Sequence, residues 1–502
     1  MSRNSASNQE TNGVDHLYDV AIVGYGPAGA TLANLLALRG LSVLVLEREA
    51  DVFPLPRAIH FDGEVMRVFQ TIGIADALEP SLVVAPGMRF LNAEGKILID
   101  WKRPTDVGPQ AWRPSYRFHQ PDLEIMLRER LAQYDNAHVR LRHDVFAIEQ
   151  HADHALLRVE NLTNGRLLKL RARYVVGCDG ARSLVRRLLD TELEDMKSHE
   201  RWLVVDVLLK RDRPDLGDHS IQYCDPARPA TYVRGAGQRR RWELMIMPDE
   251  DAAEMALPEN IWKLLSRWIT PKDGLLERPA VYTFHSVVAK GWRKGRMLIA
   301  GDAAHQTPPF MGQGLCAGIR DVANLGWKLA EVIRGRASED LLDSYESERS
   351  PHVREFIEAA VRLGSIIQTR DPEVARRRDA EMANNPEMFT TPNPQLGPGA
   401  HNGDGVAGRI ALQPFTPDGR RFDEVAGYQF SIIALPEAAK AAMTGAGGQY
   451  AVHVAHDERT RHWLVGLPAK AALIRPDRYI AAVGQTPDEL KRLFCTEHIA
   501  FT

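Results

Sequence analysis

Three consecutive stretches decide the fold: Tyr18-Asp-Val-Ala-Ile-Val23, Gly24-Tyr-Gly26-Pro-Ala-Gly29 and Ser42-Val-Leu-Val-Leu-Glu47. The first is a short β-branched run suited to a buried parallel strand, and the third is a second such strand. Between them, residues 28–39 carry a helix pattern that Gly40 stops. A strand, a glycine-rich turn, a helix and a strand within about thirty residues make a β-α-β nucleotide-binding unit. Glycines at the turn let the backbone approach a pyrophosphate at the positive end of the helix. Gly24, Gly26, Pro27, Ala28 and Gly29 are therefore candidate cofactor contacts. Glu47, 23 residues after Gly24, is placed to accept hydrogen bonds from a ribose diol, with Arg48 beside it. This fingerprint alone does not choose between FAD and NAD.

Composition narrows the class. A chain of 502 residues predicts two to four domains. Its 44% apolar and 26% charged residues match an ordinary globular protein rather than a disordered or fibrous one. With 63 Lys and Arg against 66 Asp and Glu, the formal charge is −3, too balanced to draw in nucleic acid or an anionic membrane. Cys178, Cys224, Cys316 and Cys495 are scattered, with no C-x-x-C pair, so a disulfide framework and a zinc ribbon are both disfavoured and a cytoplasmic setting is expected. Residues 1–16 read as a polar tail without the apolar core of a secretory signal. The most membrane-like stretch, residues 19–39, is broken by Gly24, Gly26, Pro27 and Gly29, so no transmembrane segment is expected.

Along the chain, residues 17–200 and 290–383 read as one nucleotide-binding domain. Residues 201–289, with strand-like runs at 202–209 and 242–247, read as an inserted antiparallel sheet that supplies the substrate site. Residues 384–408, rich in Pro and Gly, read as a linker. Residues 409–502 alternate strands at 428–435, 450–454 and 472–483 with helical pieces, and fit a small thioredoxin-like domain that cannot exchange dithiols. Thr486-Pro-Asp-Glu489 predicts a capping box for a last helix. The run Arg239-Arg-Arg241 reads as a solvated hairpin turn rather than a nucleic-acid patch.

Two further motifs choose the cofactor. Cys178-Asp-Gly-Ala-Arg-Ser-Leu-Val-Arg186 resembles the Asp-Gly motif of class A flavoprotein monooxygenases, and Gly301-Asp302-Ala-Ala-His305 resembles their second FAD motif. The segments Pro56-Arg-Ala-Ile-His-Phe-Asp-Gly-Glu64, Gln120-Pro-Asp-Leu-Glu124, Cys224-Asp-Pro-Ala-Arg-Pro229 and Met245-Ile-Met-Pro248 are similar to those of the 3-(3-hydroxyphenyl)propionate hydroxylase group, over residues 18–349. The resemblance implies FAD, held by Arg57, Gln120, Asp179, Gly301 and Asp302, with Asp302 accepting a ribityl hydroxyl. Gly312, Gln313, Gly314 and Leu315 would bring backbone N–H groups to the flavin, after the rigid loop that holds Pro309.

With a single dinucleotide fingerprint, NADH or NADPH must dock without a Rossmann domain of its own. The resemblance implies flavin reduction, reaction with O2 to a C4a-hydroperoxide, and oxygen transfer to a phenolic ring such as a hydroxyphenyl-alkanoic acid. A polyketide or antibiotic hydroxylase is the alternative within this fold, and a flavin-dependent reductase or a non-catalytic flavin-binding protein is the alternative outside it. His60 is the candidate base, with a structural histidine bonded to backbone as the alternative, and Tyr223 is a candidate substrate contact, with Tyr232 near it. Either tyrosine fits equally well as core. The expected partner is a small aromatic molecule. No metal site is expected, and whether the chain forms a homodimer is left open.

Overall fold

The computed structural model describes residues 16–384, 389–402, 405–445, 450–486 and 489. Cys495, most of the expected tail and the last helix lie outside them. The capping box ahead of that helix is formed: the Glu489 N–H donates to Thr486 Oγ1 and the Thr486 N–H to Glu489 Oε2, both at 3.2 Å.

Leu17–Val23 (β1), Pro27–Leu38 (α1) and Val43–Glu47 (β2) form the expected unit. β1 is parallel to β2 on one side and to the long strand Arg166–Gly177 on the other, in the middle of an eight-stranded sheet. Val20, Ile22, Val43, Leu44 and Val45 have no exposed surface. Full burial of each such side chain contributes about 1.5–3 kcal/mol. This packing fixes the carboxyl ends of β1 and β2, where the glycine-rich turn lies.

A second eight-stranded sheet forms the other wall of the molecule. Its order is His305–Gln306, Gly274–Ala289, Leu193–Leu209, Arg239–Met245, Ala230–Arg234, Ser220–Tyr223, Gly87–Leu91 and Ile97–Lys102. It is thus wider than the expected 201–289 segment, because Gly87–Leu91 pairs in parallel with Ser220–Tyr223 and brings Ile97–Lys102 with it. Strand alternation gives the sheet two unlike faces. Leu203, Val205, Tyr232, Trp242 and Leu244 pack on one side with Ile261 and Leu265 of the helix Pro258–Leu265. Trp202, Val204, Asp206, Arg241, Glu243 and Met245 occupy the alternate positions. The arginine run therefore is not a solvated turn. The turn is at residues 235–238, and Arg240 and Arg241 are buried within the strand. Arg241 donates to both Asp206 oxygens (2.8 and 3.0 Å) and to the carbonyls of Arg57 (2.8 Å) and Pro56 (2.5 Å).

The C-terminal part has a four-stranded sheet in the order Ala451–Val454, Ser431–Ala434, Ala471–Ile474 and Ile480–Gly484, the first pair parallel and the others antiparallel. The run expected as one strand at 472–483 is a hairpin, because Pro476-Asp477 turns the chain and Arg478 takes a left-handed φ of 72°. That hairpin reaches the first domain. Arg475 donates to Glu348 Oε1 (2.9 Å) and Oε2 (2.7 Å), Lys328 Nζ donates to the same Oε2 (2.8 Å), and Arg475, Glu348 and Lys328 side chains are all 0% exposed. Nor is the described part of 384–408 a free linker. Phe389 packs on Trp101 with ring centroids 4.6 Å apart, and a Cβ at Gly397 would lie 2.1 Å from the Ser347 carbonyl. No helix among the described residues is long and apolar enough to cross a membrane.

Candidate active site

A cavity of about 1590 Å³ runs from the ends of β1 and β2 to the face of the second sheet that bears Glu243. At its first end the walls are largely backbone. Gly24 has a φ of 100°, and a Cβ there would meet the Cys178 carbonyl at 2.5 Å. A Cβ on Gly26 would meet nothing within 4 Å, because that position opens into the cavity at the start of α1. No side chain caps that helix, so its first N–H groups are available to a phosphate. Gly29 does not line the cavity. It lets α1 press onto the turn, where a Cβ would sit 2.1 Å from the Gly24 carbonyl. Glu47 accepts from the Tyr25 N–H (2.7 Å) and the Glu49 N–H (2.9 Å), which holds its carboxylate at the cavity edge beside Arg48.

The middle of the cavity is set by polar side chains. Gln120 Oε1 accepts from the N–H groups of Arg57 (2.9 Å) and Ala58 (2.7 Å) and so shapes the loop that carries Arg57. Asp179 lines the cavity, but its carboxylate accepts from Ser183 Oγ (2.5 Å) and from the Leu184 N–H (2.7 Å), holding the start of the helix Leu184–Leu189. Asp302 is exposed to the cavity, whose walls displace water from it and raise its carboxyl above the usual range, with His305 and Arg57 opposing the shift. The turn at Gly301 is held from behind by Asp321, which accepts from the Gly301 N–H (3.1 Å), is bonded to His305 Nε2 (2.6 Å) and is paired with Arg349 (3.0 Å). The sequence analysis missed Asp321, which lies 19 residues beyond Asp302.

Pro309, Gly312, Gly314 and Leu315 line the far part, at the uncapped start of the helix Gly314–Ile333. A Cβ on Gly314 would meet nothing within 4 Å. The Gln313 side chain turns away and accepts from Arg320 (3.1 Å), so only its backbone can serve a ligand.

His60 sits beside this loop but does not match the expected proton acceptor. Its Nδ1–H donates to the Gly312 carbonyl (3.1 Å), and its Nε2 accepts from Arg103 (2.6 Å) and lies 2.8 Å from Ser115 Oγ. Burial and the Arg103 charge push the imidazole down to about 3, so it stays neutral and fully engaged at working pH. Its role here is to hold Gly312 and Arg103. Tyr223 is also misplaced by the sequence reading. Ser220 and Gln222 line the cavity, whereas Tyr223 and Tyr232 face the opposite side, where the Tyr223 hydroxyl accepts from Trp268 Nε1 (2.9 Å).

The groups that do face the substrate end were not singled out: Arg103, Arg117, Gln222, Thr231, Glu243 and Tyr282. Arg117 is 2% exposed and donates to the Asp218 carbonyl (2.6 Å) and Ser220 Oγ (3.1 Å). Burial lowers Arg103 to about 10, with the Asp62 charge opposing the shift, and lowers Arg117 to about 9, with the Arg103 charge adding to it. Among the described residues neither has a carboxylate within ion-pair distance. Groups of His, Cys, Asp and Glu able to hold a metal are absent among the described residues.

An FAD binding domain model matches residues 17–360, which span the glycine turn, the Asp179 segment, Asp302 and the flavin loop. The chain belongs to this FAD-binding family. FAD is its cofactor. A probable NADH-specific resorcinol 4-hydroxylase of Rhodococcus jostii is 37% identical, over 95% of this chain and 93% of that protein. A 3-(3-hydroxy-phenyl)propionate/3-hydroxycinnamic acid hydroxylase of Burkholderia vietnamiensis is 35% identical, over 92% and 93%. The chain is a flavoprotein monooxygenase of the aromatic type. Among solved structures, the flavin-dependent monooxygenase PieE in complex with FAD and substrate superposes with a TM-score of 0.81 at 22% identity, over 97% of this chain and 99% of that one. Aklavinone-11 hydroxylase superposes at 0.77, also at 22% identity, over 97% and 100%. At that identity the likeness speaks for the fold.

Proposed function

We propose that this flavoprotein hydroxylates a phenol that carries a short acid side chain, with O2 as oxidant and NADH or NADPH as electron donor. The observation that carries the acid group is the pair of half-buried Arg103 and buried Arg117, two guanidiniums that line the cavity with no carboxylate within ion-pair distance among the described residues. A cation stripped of water with no acid in contact is costly unless a ligand anion completes it. Two relatives support hydroxylation of a phenol, one named for resorcinol, which has no acid chain, and one for hydroxyphenylpropionate, which has one, and the first is named as NADH-specific. The polyketide hydroxylase reading is supported only by likeness of fold.

Bound FAD supplies two-electron reduction by the nicotinamide and activation of O2. The residues around it bind and orient. Gly26 and the start of α1 fit the pyrophosphate, Glu47 a ribose, Asp302 the ribityl chain, and the N–H groups at Gly314 and Leu315 the electron-accepting edge of the flavin. Pro309 and the His60 bond to Gly312 keep that loop rigid. Water is excluded behind it by Phe310, which meets Trp202 edge-on at 5.7 Å between ring centroids. Within this reading the second sheet is the substrate domain inserted into the flavin domain, and the C-terminal part is a thioredoxin-like appendage without redox cysteines among its described residues.

The test is NAD(P)H oxidation and O2 uptake with 3-(3-hydroxyphenyl)propionate, 3-hydroxycinnamate, resorcinol and phenol, followed by product analysis. Acid-bearing phenols are expected to stimulate oxidation most and to yield hydroxylated product in step with the cofactor consumed. Oxidation that no phenol stimulates, or that yields only hydrogen peroxide, overturns the hydroxylase. Preference for resorcinol overturns the acid group alone.

A further inference from the structure

The second sheet presents a polar band to the cavity. The strand register places Gln222 opposite Thr231, Thr231 opposite Glu243, and Glu243 opposite Val204, so all four are neighbours on one face. Thr231 Oγ1 donates to Gln222 Oε1 at 2.6 Å, which ties down two members of the band. Glu243 is different. It is 7% exposed, lines the cavity, and among the described residues has neither a hydrogen-bond partner nor an ion-pair partner. Arg241, two residues along the same strand, is already paired to Asp206 on the adjoining strand. A buried carboxyl without a partner costs stability, so a fold that keeps one facing an active cavity keeps it for a ligand.

Resting on the reading of a phenol hydroxylase, we infer that Glu243 receives the phenolic hydroxyl and acts as the proton acceptor in hydroxylation. Thr231 and Gln222 flank the hydroxyl, and Val204 and Tyr282 offer the ring an apolar wall. Glu243 stands two strands across and two residues along from Ser220, on which Arg117 rests, a separation of about 12 Å between backbones that leaves room for a phenol with a short acid chain between the side chains. In the step, the phenolic O–H bond breaks, the proton passes to a Glu243 carboxylate oxygen, and the electron pair moves into the ring. The ortho or para carbon then takes one oxygen atom of O2. The other leaves as water with the electrons of NAD(P)H, and the proton on that carbon is lost as aromaticity returns.

The charged groups around Glu243 are Arg241 on its own strand, Asp206 on the adjoining strand, Arg278 on the strand beyond that, and Arg57 on the loop above the cavity. Burial raises the Glu243 carboxyl to about 7, with Arg241 opposing the shift and Asp206 adding to it. Below that pH the carboxyl is protonated and cannot accept.

The experiment compares the holoenzyme with E243Q, using 3-(3-hydroxyphenyl)propionate between pH 5.5 and 9. In the wild type, kcat/KM for product is expected to fall about tenfold per unit below pH 7. E243Q is expected to keep FAD, to lose that acidic limb, and to form product about 100-fold more slowly, with a larger share of the NAD(P)H it consumes ending in peroxide. E243Q with wild-type coupling and an unchanged limb overturns the role of Glu243 while leaving the hydroxylase intact. Should E243Q fail to hold FAD, the wild-type profile decides, since a flat profile between pH 6 and 8 overturns the proposal by itself. Absence of any phenol stimulation in the wild type instead removes the hydroxylase reading on which it rests.

Discussion

The two ends of the cavity are made of different material. The nucleotide end is built from backbone: Gly24 and Gly26 at the turn, Gly301 behind Asp302, and Gly314 at a helix start. The substrate end is built from side chains that project from alternate positions of neighbouring strands, such as Gln222, Thr231 and Glu243. A backbone site tolerates no added atom where two segments touch, whereas a side-chain site can exchange one group for another and change its ligand. The first end therefore fixes the cofactor, and the second is free to choose the ring.

Substitutions at the two ends should break in different ways. The largest effect is expected at Gly29→Ala, where the new Cβ has to enter the Gly24 carbonyl at 2.1 Å. Bound flavin, read from the visible spectrum of the purified protein, should be lost, or soluble protein should not be obtained at all. A yellow, active Gly29→Ala protein would show that the turn yields more than its geometry allows. A selective effect is expected at Arg117→Met. Loss of a charge-assisted hydrogen bond of roughly 1.5–3 kcal/mol should raise KM for 3-(3-hydroxyphenyl)propionate about 10- to 100-fold. FAD content and turnover of resorcinol should stay within about threefold, and equal loss for both substrates would make Arg117 a structural residue instead. The smallest effect is expected at Tyr223→Phe, which faces away from the cavity. Its kcat/KM should stay within about twofold, while thermal stability drops by about 1 kcal/mol through the lost Trp268 bond.

The same contrast explains what could be read in the sequence. The β-α-β unit, the Asp302 motif and the flavin loop are legible because glycine and proline stand where backbone geometry demands them. The substrate end was not, for a physical reason. A strand sends successive side chains to opposite faces, so choosing Tyr223 over Gln222 is a choice of parity that the sequence leaves undecided until the register with Ala230–Arg234 is known. His60 was found for its chemistry, but burial and Arg103, 43 residues away in sequence, keep it neutral, and its Nδ1–H is held by Gly312, 252 residues away. Long-range partners also hid the C-terminal hairpin, whose Arg475 answers a glutamate 127 residues earlier.

That last pairing sets an order in time. The ribosome releases Lys328 and Glu348 well before Arg475, so the emerging chain holds a buried carboxylate with only one of its two cations. Removing water from such a group is costly until the second cation arrives. The core around Glu348 can close fully only when the chain has been synthesised through residue 475, although every cofactor segment has long since emerged. A ribosome stalled after residue 360 but before residue 475 would therefore hold a nascent chain that carries the complete flavin-binding sequence but is not yet sealed, a form exposed to proteases and chaperones.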